Sequence, residues 1–279
     1  MPELPEMQAL AERLQVALAG RSVARCEPLG FAGLKTVAPG PTDLVGRTIE
    51  QVGRRGKYLV VSLEGGLRVL VHLAQAGRLD LEPTAKSTRP RGSIVRLVLD
   101  DASAVLVREH GTERSAGWWI LGPADDGPLS GLGPEAVGED FASLVLASDD
   151  NRHLHTVLRD QRFASGIGRG YADDALNRAG LSPFSSLRSL SEEQRRQLVA
   201  AVEETLALAL EVERTRTGGL SAARLGERFA VHNRAGEPCP RCGDGLLRVS
   251  YASHEVVYCK TCQTNGRVYA DRRLSRLVR

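Results

Sequence analysis

The chain has 279 residues, of which 42% are hydrophobic and 25% are charged, and its formal net charge is +3. This composition is that of a soluble protein whose core is large enough for one or two domains. No apolar run approaches the ~20 residues that span a bilayer, and no signal peptide is recognisable, so we expect a cytoplasmic protein without a membrane association.

The positive charge is concentrated near the C-terminal end. From Cys239 onward, eight Lys and Arg residues stand against three Asp and Glu residues, which leaves about −2 for the first 238 residues. A basic end of this kind suits a polyanion such as DNA, whose phosphates dominate the affinity of its partners. A solubilising tail explains the same charge equally well.

Residues 3–19 predict an amphipathic helix, because apolar side chains recur at intervals of three and four until Gly20 ends the pattern. Beyond it the pattern changes to short β-rich runs separated by turns, at residues 57–63, 67–72, 94–99, 104–107 and 118–121. Several short strands within about 100 residues favour a β-sandwich.

Residues 122–138 are rich in Gly, Pro, Asp and Ser and predict a linker. Helical patterns follow at residues 141–147, 154–158, 171–179 and from Ser191 onward, where Ser191 and Gln194 fit a capping box. The Gly-Ile-Gly turn at residues 166–168 offers backbone N–H groups to a phosphate. A plain connection between two helices is the simpler interpretation of that turn.

Four of the five cysteines form two C-x2-C pairs separated by sixteen residues, Cys239 with Cys242 and Cys259 with Cys262. The β-rich runs between them, at residues 246–249 and 256–258, predict a hairpin that brings the pairs together. In a cytosolic protein such pairs are metal ligands more often than disulfides. Four thiolates complete a tetrahedral shell with no open position, which predicts one structural Zn2+ ion.

The chain begins with Met1, Pro2 and Glu3. A small second residue favours removal of Met1, which would expose the secondary amine of Pro2. An α-amino group has a pKa of about 8, so such an amine is a good nucleophile near neutral pH and forms an iminium ion with an aldehyde-level carbon. Glu3 is placed to act as general acid or base. An ordinary N-terminus that contains proline is the competing interpretation of these residues alone.

Several motifs occur together in one order. They are Met-Pro-Glu-Leu-Pro-Glu at residues 1–6, Arg-Arg-Gly-Lys-Tyr-Leu entering a strand at 54–59, Leu-Gly-Pro-Glu at 132–135, Asp-Gln at 160–161 with the Gly-Ile-Gly turn, and Gly-Glu-Pro-Cys at 236–239. In this order and spacing the chain resembles the formamidopyrimidine-DNA glycosylase / endonuclease VIII family, and it is nearer the formamidopyrimidine branch. The resemblance runs from residue 2 to about residue 263.

The resemblance implies an α+β fold with an N-terminal helix plus a β-sandwich domain and a C-terminal helix–two-turn–helix domain that carries a four-cysteine zinc-finger β-hairpin. It implies a catalytic β-sandwich domain at residues 1–125, a helical DNA-binding domain at 126–235, and the zinc finger with its basic tail at 236–279.

The implied activity is that of a DNA repair glycosylase with abasic-site lyase activity. A damaged, oxidised base is flipped out of double-stranded DNA and removed through a Schiff base on the N-terminal proline, after which elimination cleaves the strand. The implied protein is a monomer of the bacterial cytoplasm or nucleoid.

The resemblance also assigns roles to individual residues. Pro2 matches the nucleophile, Glu3 the proton donor and shuttle, and Glu6 a supporting acid. Lys57 matches a lysine that contacts the phosphate at the lesion, although a solvated lysine at the start of a strand is its alternative. His72 matches a histidine that approaches DNA, and a half-buried strand histidine is the alternative there.

Two departures from the family pattern lie in the predicted phosphate grip. The residue after Gly168 is usually Asn, but here it is Arg169, which offers a bidentate fork with a different geometry. The arginine expected in the finger is replaced by His254, and Arg248, Arg267 or the basic tail would then have to supply the missing charge.

Further departures concern the side chains that the formamidopyrimidine branch inserts into the duplex. The Met position is Gln75, the Phe position is Ala116, and Arg114 is retained. The segment at residues 214–235, which caps the flipped base in the oxidised-guanine enzymes, is several residues shorter. The sequence therefore predicts the chemistry better than the lesion, and recognition of 8-oxoguanine stays open.

The main competing hypothesis is a DNA-damage-binding protein of the same fold with little or no glycosylase turnover. Arg169, His254 and Ala116 favour it. The retained Pro2, Glu3 and Lys57 argue against it. A zinc-ribbon interaction module with an unrelated catalytic half is a further alternative. Small tautomerases also use an N-terminal proline, but their chains are much shorter and have no four-cysteine finger.

Overall fold

The computed structural model describes residues 1–30, 32–110, 115–216, 228–251 and 254–269. The chain divides into a first unit, which comprises Met1–Ser130 and Leu210–Arg224, and a second unit, which comprises Gly131–Ala209 and Leu225–Arg279. Among the described residues, no helix has both the length and the apolar surface that crossing a membrane requires.

The first unit begins with helix α1 and continues as a β-sandwich. Its strands are β1 Val23–Pro28, β2 Ile49–Arg55, β3 Tyr58–Leu63, β4 Leu67–His72, β5 Gly77–Glu82, β6 Ser93–Leu99, β7 Ala104–Glu109 and β8 Gly117–Leu121. They form two antiparallel four-stranded sheets, with the orders β1-β6-β7-β5 and β2-β3-β4-β8. The predicted sandwich is confirmed.

Helix α1, Leu4–Leu18, packs on the second of these sheets and closes one side of the core. The apolar stripe that predicted the helix is buried along its whole length, at Leu4, Met7, Leu10, Leu14 and Leu18. Gln15 also joins the helix to the sheet, because its side-chain oxygen accepts a hydrogen bond from the Val52 N–H at 2.5 Å. The core of the unit continues between the sheets around Trp118.

The second unit is mostly helical and contains one β-hairpin. Its elements are α2 Glu139–Ala147, α3 Leu154–Leu158, α4 Arg169–Ala179, α5 Glu192–Thr215, β9 Leu246–Ser250, β10 Glu255–Cys259 and α6 Lys260–Thr264. The last residues of α5 belong to the first unit. The predicted capping box is confirmed, because Ser191 N–H donates to the Gln194 side chain at 3.0 Å and Gln194 N–H donates to the Ser191 hydroxyl at 3.2 Å.

Two predicted boundaries were wrong. The motif at residues 54–59 does not simply enter a strand but forms the hairpin between β2 and β3, where Gly56 takes a positive φ of 55°. Helix α4 begins at Arg169, two residues before its predicted start. The predicted linker contains the division between the two units, after Ser130. Its last residues are packed, since Gly133 N–H donates to the Gln161 carbonyl at 2.9 Å and Ser165 N–H to the Pro134 carbonyl at 2.8 Å.

Candidate active site and metal centre

Pro2 lies directly before α1, and it is followed by two buried acids. Glu3 is the N-cap of the helix, and Pro5 stands in its first turn, where a missing N–H costs no helical hydrogen bond. The Glu3 N–H donates to the Glu6 carboxylate at 2.7 Å, and the two glutamates are only 4% and 6% exposed. The start of the chain therefore holds two carboxylates, largely withdrawn from water, within four residues of the Pro2 nitrogen.

Lys57 and His72 lie close together on the second sheet of the first unit. Lys57 is 6% exposed, so the alternative of a solvated lysine is wrong. His72 ends β4 opposite Tyr58, and the two rings are 4.8 Å apart. Burial, reinforced by the charge of Lys57, lowers the pKa of His72 to about 4. His72 is thus a neutral hydrogen-bonding group at neutral pH, and the positive charge of the pair resides on Lys57.

Of the three residues at the predicted insertion positions, the described part of the chain includes Gln75 and Ala116. Gln75 is exposed in the turn after β4, where Ala74 has a positive φ of 49°. Ala116 is buried, and its N–H donates to the Glu109 carboxylate at 3.1 Å. Arg114 lies outside the described residues, as does half of the segment at residues 214–235.

In the second unit, the Gln161 side chain organises the turn that precedes α4. Its oxygen accepts from Gly166 N–H at 3.0 Å, and its nitrogen donates to the carbonyls of Arg159 at 2.9 Å and Ile167 at 2.7 Å. Gly166 has a φ of 105°, a conformation that favours glycine. These bonds satisfy backbone groups of the turn and lead to Gly168 as N-cap and Arg169 as first residue of α4.

His254 lies in a stack of parallel rings. Its ring centroid is 4.7 Å from that of Tyr251 and 5.8 Å from that of His155, with interplanar angles of 8° and 7°. Burial lowers the pKa of His254 to about 4, and the electrostatic effects of the nearby Arg159, His155 and Arg169 act in the same direction. The two departures from the family pattern, Arg169 and His254, are therefore electrostatic neighbours.

Asp173 is fully buried beside this stack. One of its oxygens lies 2.6 Å from His232 Nδ1 and the other lies 3.3 Å from His155 Nε2. His155, Arg159, Arg169, Asp173 and His254 therefore lie near one another in the second unit. Arg159, His155 and Asp173 were not among the site residues predicted from the sequence. The available signal was the four-residue spacing of His155 and Arg159, which places both on one face of a helix.

Arg267 belongs to a different environment. It is exposed, and its guanidinium carbon lies 4.8 Å from the centroid of the Tyr269 ring. That ring in turn packs on Phe184, with centroids 4.1 Å apart. Its role in DNA binding stays a prediction.

The four cysteines form a cluster that can hold a metal ion. Their sulfur atoms all lie within 4.8 Å of one another, and the sulfurs of Cys242 and Cys259 are 3.6 Å apart. In a tetrahedral site with zinc–sulfur bonds of ~2.3 Å, the sulfurs are separated by about 3.8 Å, so the cluster has the right size. The predicted hairpin carries it, with Leu246 paired to Cys259.

The thiols of this cluster are electrostatically unequal. Burial raises the pKa of Cys239, but N–H groups from Arg241, Asn177 and Cys242 outweigh it and bring that pKa down to about 7. Burial and the neighbouring thiols raise the pKa of Cys262 to about 12. Negative charge on one sulfur thus opposes charge on the next, which is the situation that a bound dication relieves.

Side-chain amides connect the cysteine cluster to α4. Asn177, in the last turn of that helix, donates to Gln263 at 3.0 Å and to the Cys239 sulfur at 3.6 Å. The same Gln263 oxygen accepts from Cys259 N–H at 2.8 Å, and its nitrogen donates to the Leu181 carbonyl at 2.9 Å. The cysteine cluster and the helix therefore share one hydrogen-bond network.

Comparison with known proteins gives one consistent result. Residues 1–113 match the N-terminal domain of formamidopyrimidine-DNA glycosylase, and residues 132–220 match its H2TH domain. The formamidopyrimidine-DNA glycosylase of Thermus thermophilus is 35% identical, over 95% of this chain and 100% of that protein. The one from Chloroflexus aurantiacus is 32% identical, over 94% of this chain and 98% of that protein.

Solved structures agree with this result. The crystal structure of the MutM (Fpg) protein from Thermus thermophilus matches with a TM-score of 0.79 and 32% identity, over 94% of this chain and 98% of that chain. A Lactococcus lactis Fpg variant in complex with DNA that contains Fapy-dG matches with a TM-score of 0.82 over 94% of this chain and 100% of that chain. At 24% sequence identity, this second match supports only a shared fold.

Proposed function

Because the chain belongs to the formamidopyrimidine-DNA glycosylase family, we propose that it excises damaged, oxidised bases from double-stranded DNA and cleaves the strand at the abasic site, with the amine of Pro2 as nucleophile. The observation that carries this proposal is the position of Pro2, immediately before a helix whose first residues supply two buried carboxylates. Glycosylase and lyase chemistry both need a nucleophile and a proton carrier at one carbon.

The reaction follows from the chemistry of a secondary amine. The lone pair of the Pro2 nitrogen forms a bond to C1′, and the bond from C1′ to the base breaks, with its electron pair leaving on the base. The attached nitrogen then loses its proton, and its freed lone pair expels O4′, which takes up a proton; this opens the sugar ring and gives an iminium ion. That ion acidifies the C2′ protons; loss of one drives elimination of the phosphate from C3′, and water later releases the amine.

The residues near Pro2 are proposed to transfer protons, to position the backbone and to bind phosphate. Glu3, adjacent to Pro2 and buried, is proposed to carry protons to the leaving base and to O4′. Glu6 accepts the Glu3 N–H and thereby fixes the backbone that presents Pro2. Lys57 supplies a poorly hydrated positive charge for a phosphate, and neutral His72 supplies a hydrogen bond beside it.

We also propose that the cysteine cluster binds one Zn2+ ion with a structural role. The sulfur separations support zinc, and four protein thiolates leave no position for a catalytic water. The ion would stabilise the β9–β10 hairpin, which is too short to be stable alone. The partner that we propose is double-stranded DNA with a damaged base or an abasic site, bound by a monomer in the bacterial cytoplasm.

Borohydride trapping tests this proposal directly. The zinc-loaded protein is incubated with abasic-site duplex DNA and sodium borohydride, and we expect a covalent adduct whose mass maps to a peptide that begins with Pro2. Extension of the N-terminus by one residue should abolish the adduct, because no free secondary amine remains. Pro5→Ala is the matched control, since it changes a nearby proline in the same helix start and should leave trapping intact.

Two outcomes would contradict the proposal. An adduct that persists on the extended protein would place the nucleophile elsewhere. Intact DNA binding with no adduct would favour the alternative of a damage-binding protein of the same fold.

A further inference from the structure

Two arginines of the second unit stand apart from their neighbours because the described structure gives their side chains no hydrogen-bonded or ion-paired partner. Arg159 follows α3 as its C-cap residue, Arg169 opens α4, and both are half-buried. Nearby arginines are paired: the ion pairs are Arg152–Asp150 at 2.6 Å, Arg162–Asp160 at 3.4 Å and Arg178–Glu204 at 2.9 Å.

These two guanidinium groups repel each other. Burial lowers the pKa of Arg159, and the charge of Arg169 lowers it further. Asp173 acts in the opposite direction, but its two oxygens already face His232 and His155. A pair of partly desolvated cations without a dedicated acid is costly unless an anion from outside joins it.

His254, the finger residue next to the pair, adds no charge at neutral pH. His254, held between Tyr251 and His155, is uncharged above a pH of about 5 because its pKa is about 4. His254 therefore cannot replace the cation that the sequence comparison expects in the finger. The positive charge next to it is carried by Arg159 and Arg169.

We propose that Arg159 and Arg169 form a two-arginine site for one phosphodiester of the bound DNA, and that Arg159 supplies the charge that His254 does not. This inference rests on the proposed function, because it takes DNA as the ligand. Each guanidinium presents a planar fork of donors that matches two phosphate oxygens. Binding the anion removes the repulsion between the arginines, so the interaction gains more than a single exposed arginine would.

The test measures the affinity of the full-length, zinc-loaded protein for a duplex with a tetrahydrofuran abasic-site analogue, over a range of NaCl concentrations. Arg159→Gln should weaken binding about tenfold or more and make the slope of log K against log salt shallower by about one. Arg159→Lys should retain the wild-type slope, because it keeps the charge. Arg162→Gln is the matched control: this arginine lies three residues away, is exposed and pairs with Asp160, so neither quantity should change.

A second measurement separates a binding role from a structural one. In the absence of DNA, Arg159→Gln should leave the melting temperature unchanged or raise it, because it removes a like-charge repulsion. A lowered melting temperature together with weaker binding would overturn the proposal in favour of a structural role. Wild-type affinity and slope in Arg159→Gln would overturn it outright.

Failure of this inference is distinguishable from failure of the proposed function. Borohydride trapping by the wild-type protein reports on the proposed chemistry, whereas the salt slope of Arg159→Gln reports on the two-arginine site. Normal trapping with an unchanged salt slope would reject the two-arginine site alone. A wild-type protein that binds DNA through these arginines and never traps it would reject the chemistry and retain the site.

Discussion

Gly133→Ala should destabilise the second unit, because a methyl group at this position has no space. A Cβ on Gly133 would lie 2.4 Å from the Arg162 carbonyl oxygen and 2.6 Å from that of Phe163. Both are backbone atoms of a loop that Gln161 holds in place, so they cannot move aside as a flexible side chain would. Real Cβ contacts essentially never fall below 3.0 Å, so the two segments must separate.

The size of the effect follows from these distances. Separation strains the hydrogen bond from Gly133 N–H to the Gln161 carbonyl, a loss of about 1 kcal/mol, and overpacking adds about 1–3 kcal/mol. A decrease of about 2–4 kcal/mol in the free energy of unfolding lowers the melting temperature by roughly 4–16 °C. DNA affinity should fall as well, because the same loop leads to Arg169.

Urea and thermal denaturation followed by circular dichroism provide the measurement. Gly131→Ala is the matched control, since a Cβ there would have no heavy atom within 4 Å and the substitution lies only two residues away. Equal unfolding midpoints for the two variants would refute the argument, because they would mean that the loop yields without cost.

Two further predictions concern the second unit. We expect elemental analysis to find one zinc equivalent in the wild type and in Cys26→Ser, a change in the first unit, but none in Cys242→Ser. A full equivalent in Cys242→Ser would contradict the ligand assignment. Asp174 accepts hydrogen bonds from the backbone N–H groups of Ala230, Val231 and His232, yet burial, with the charge of Asp173 adding, raises its pKa from 3.8 to about 6. Because the pKa is higher in the folded protein, Asp174 contributes to the free energy of unfolding fully below pH 3.8. This contribution, about 3 kcal/mol, is lost as the pH rises through about 6. The advantage of the wild type over Asp174→Asn in unfolding free energy should therefore shrink between about pH 4 and pH 6, and an advantage independent of pH would contradict the shift.

Local patterns predicted the elements that form the framework of the molecule. The apolar spacing of α1, the strand runs of the sandwich and the capping box at Ser191 each depend on residues a few positions apart, so they are readable in one sequence. The cysteine pairs were equally informative, because the spacing of thiol ligands has few other uses. These features are confirmed.

Features that depend on distant segments were not predictable. The burial of Lys57 results from the hairpin between β2 and β3, and an isolated lysine next to a strand looks the same when it is solvated. The docking of Gly133 was hidden because a Gly- and Pro-rich composition is typical both of free linkers and of close backbone contacts. Arg159, Arg169 and His254 lie at a helix cap, at a helix start and in the finger loop. Their proximity depends on tertiary packing, which no local sequence pattern predicts.

Helix α4 connects the cysteine cluster to Arg169, so oxidation of the cysteines should affect the position of that arginine. The helix has 11 residues and is about 16 Å long. It carries Arg169 at its first position, and Asn177 in its last turn donates a hydrogen bond to the Cys239 sulfur. Oxidation of a single cysteine thiol would disrupt the hydrogen bonds of Asn177 and allow the C-terminal end of α4 to move. We expect an oxidatively stressed molecule to lose its hold on DNA while its reactive amine is still chemically sound.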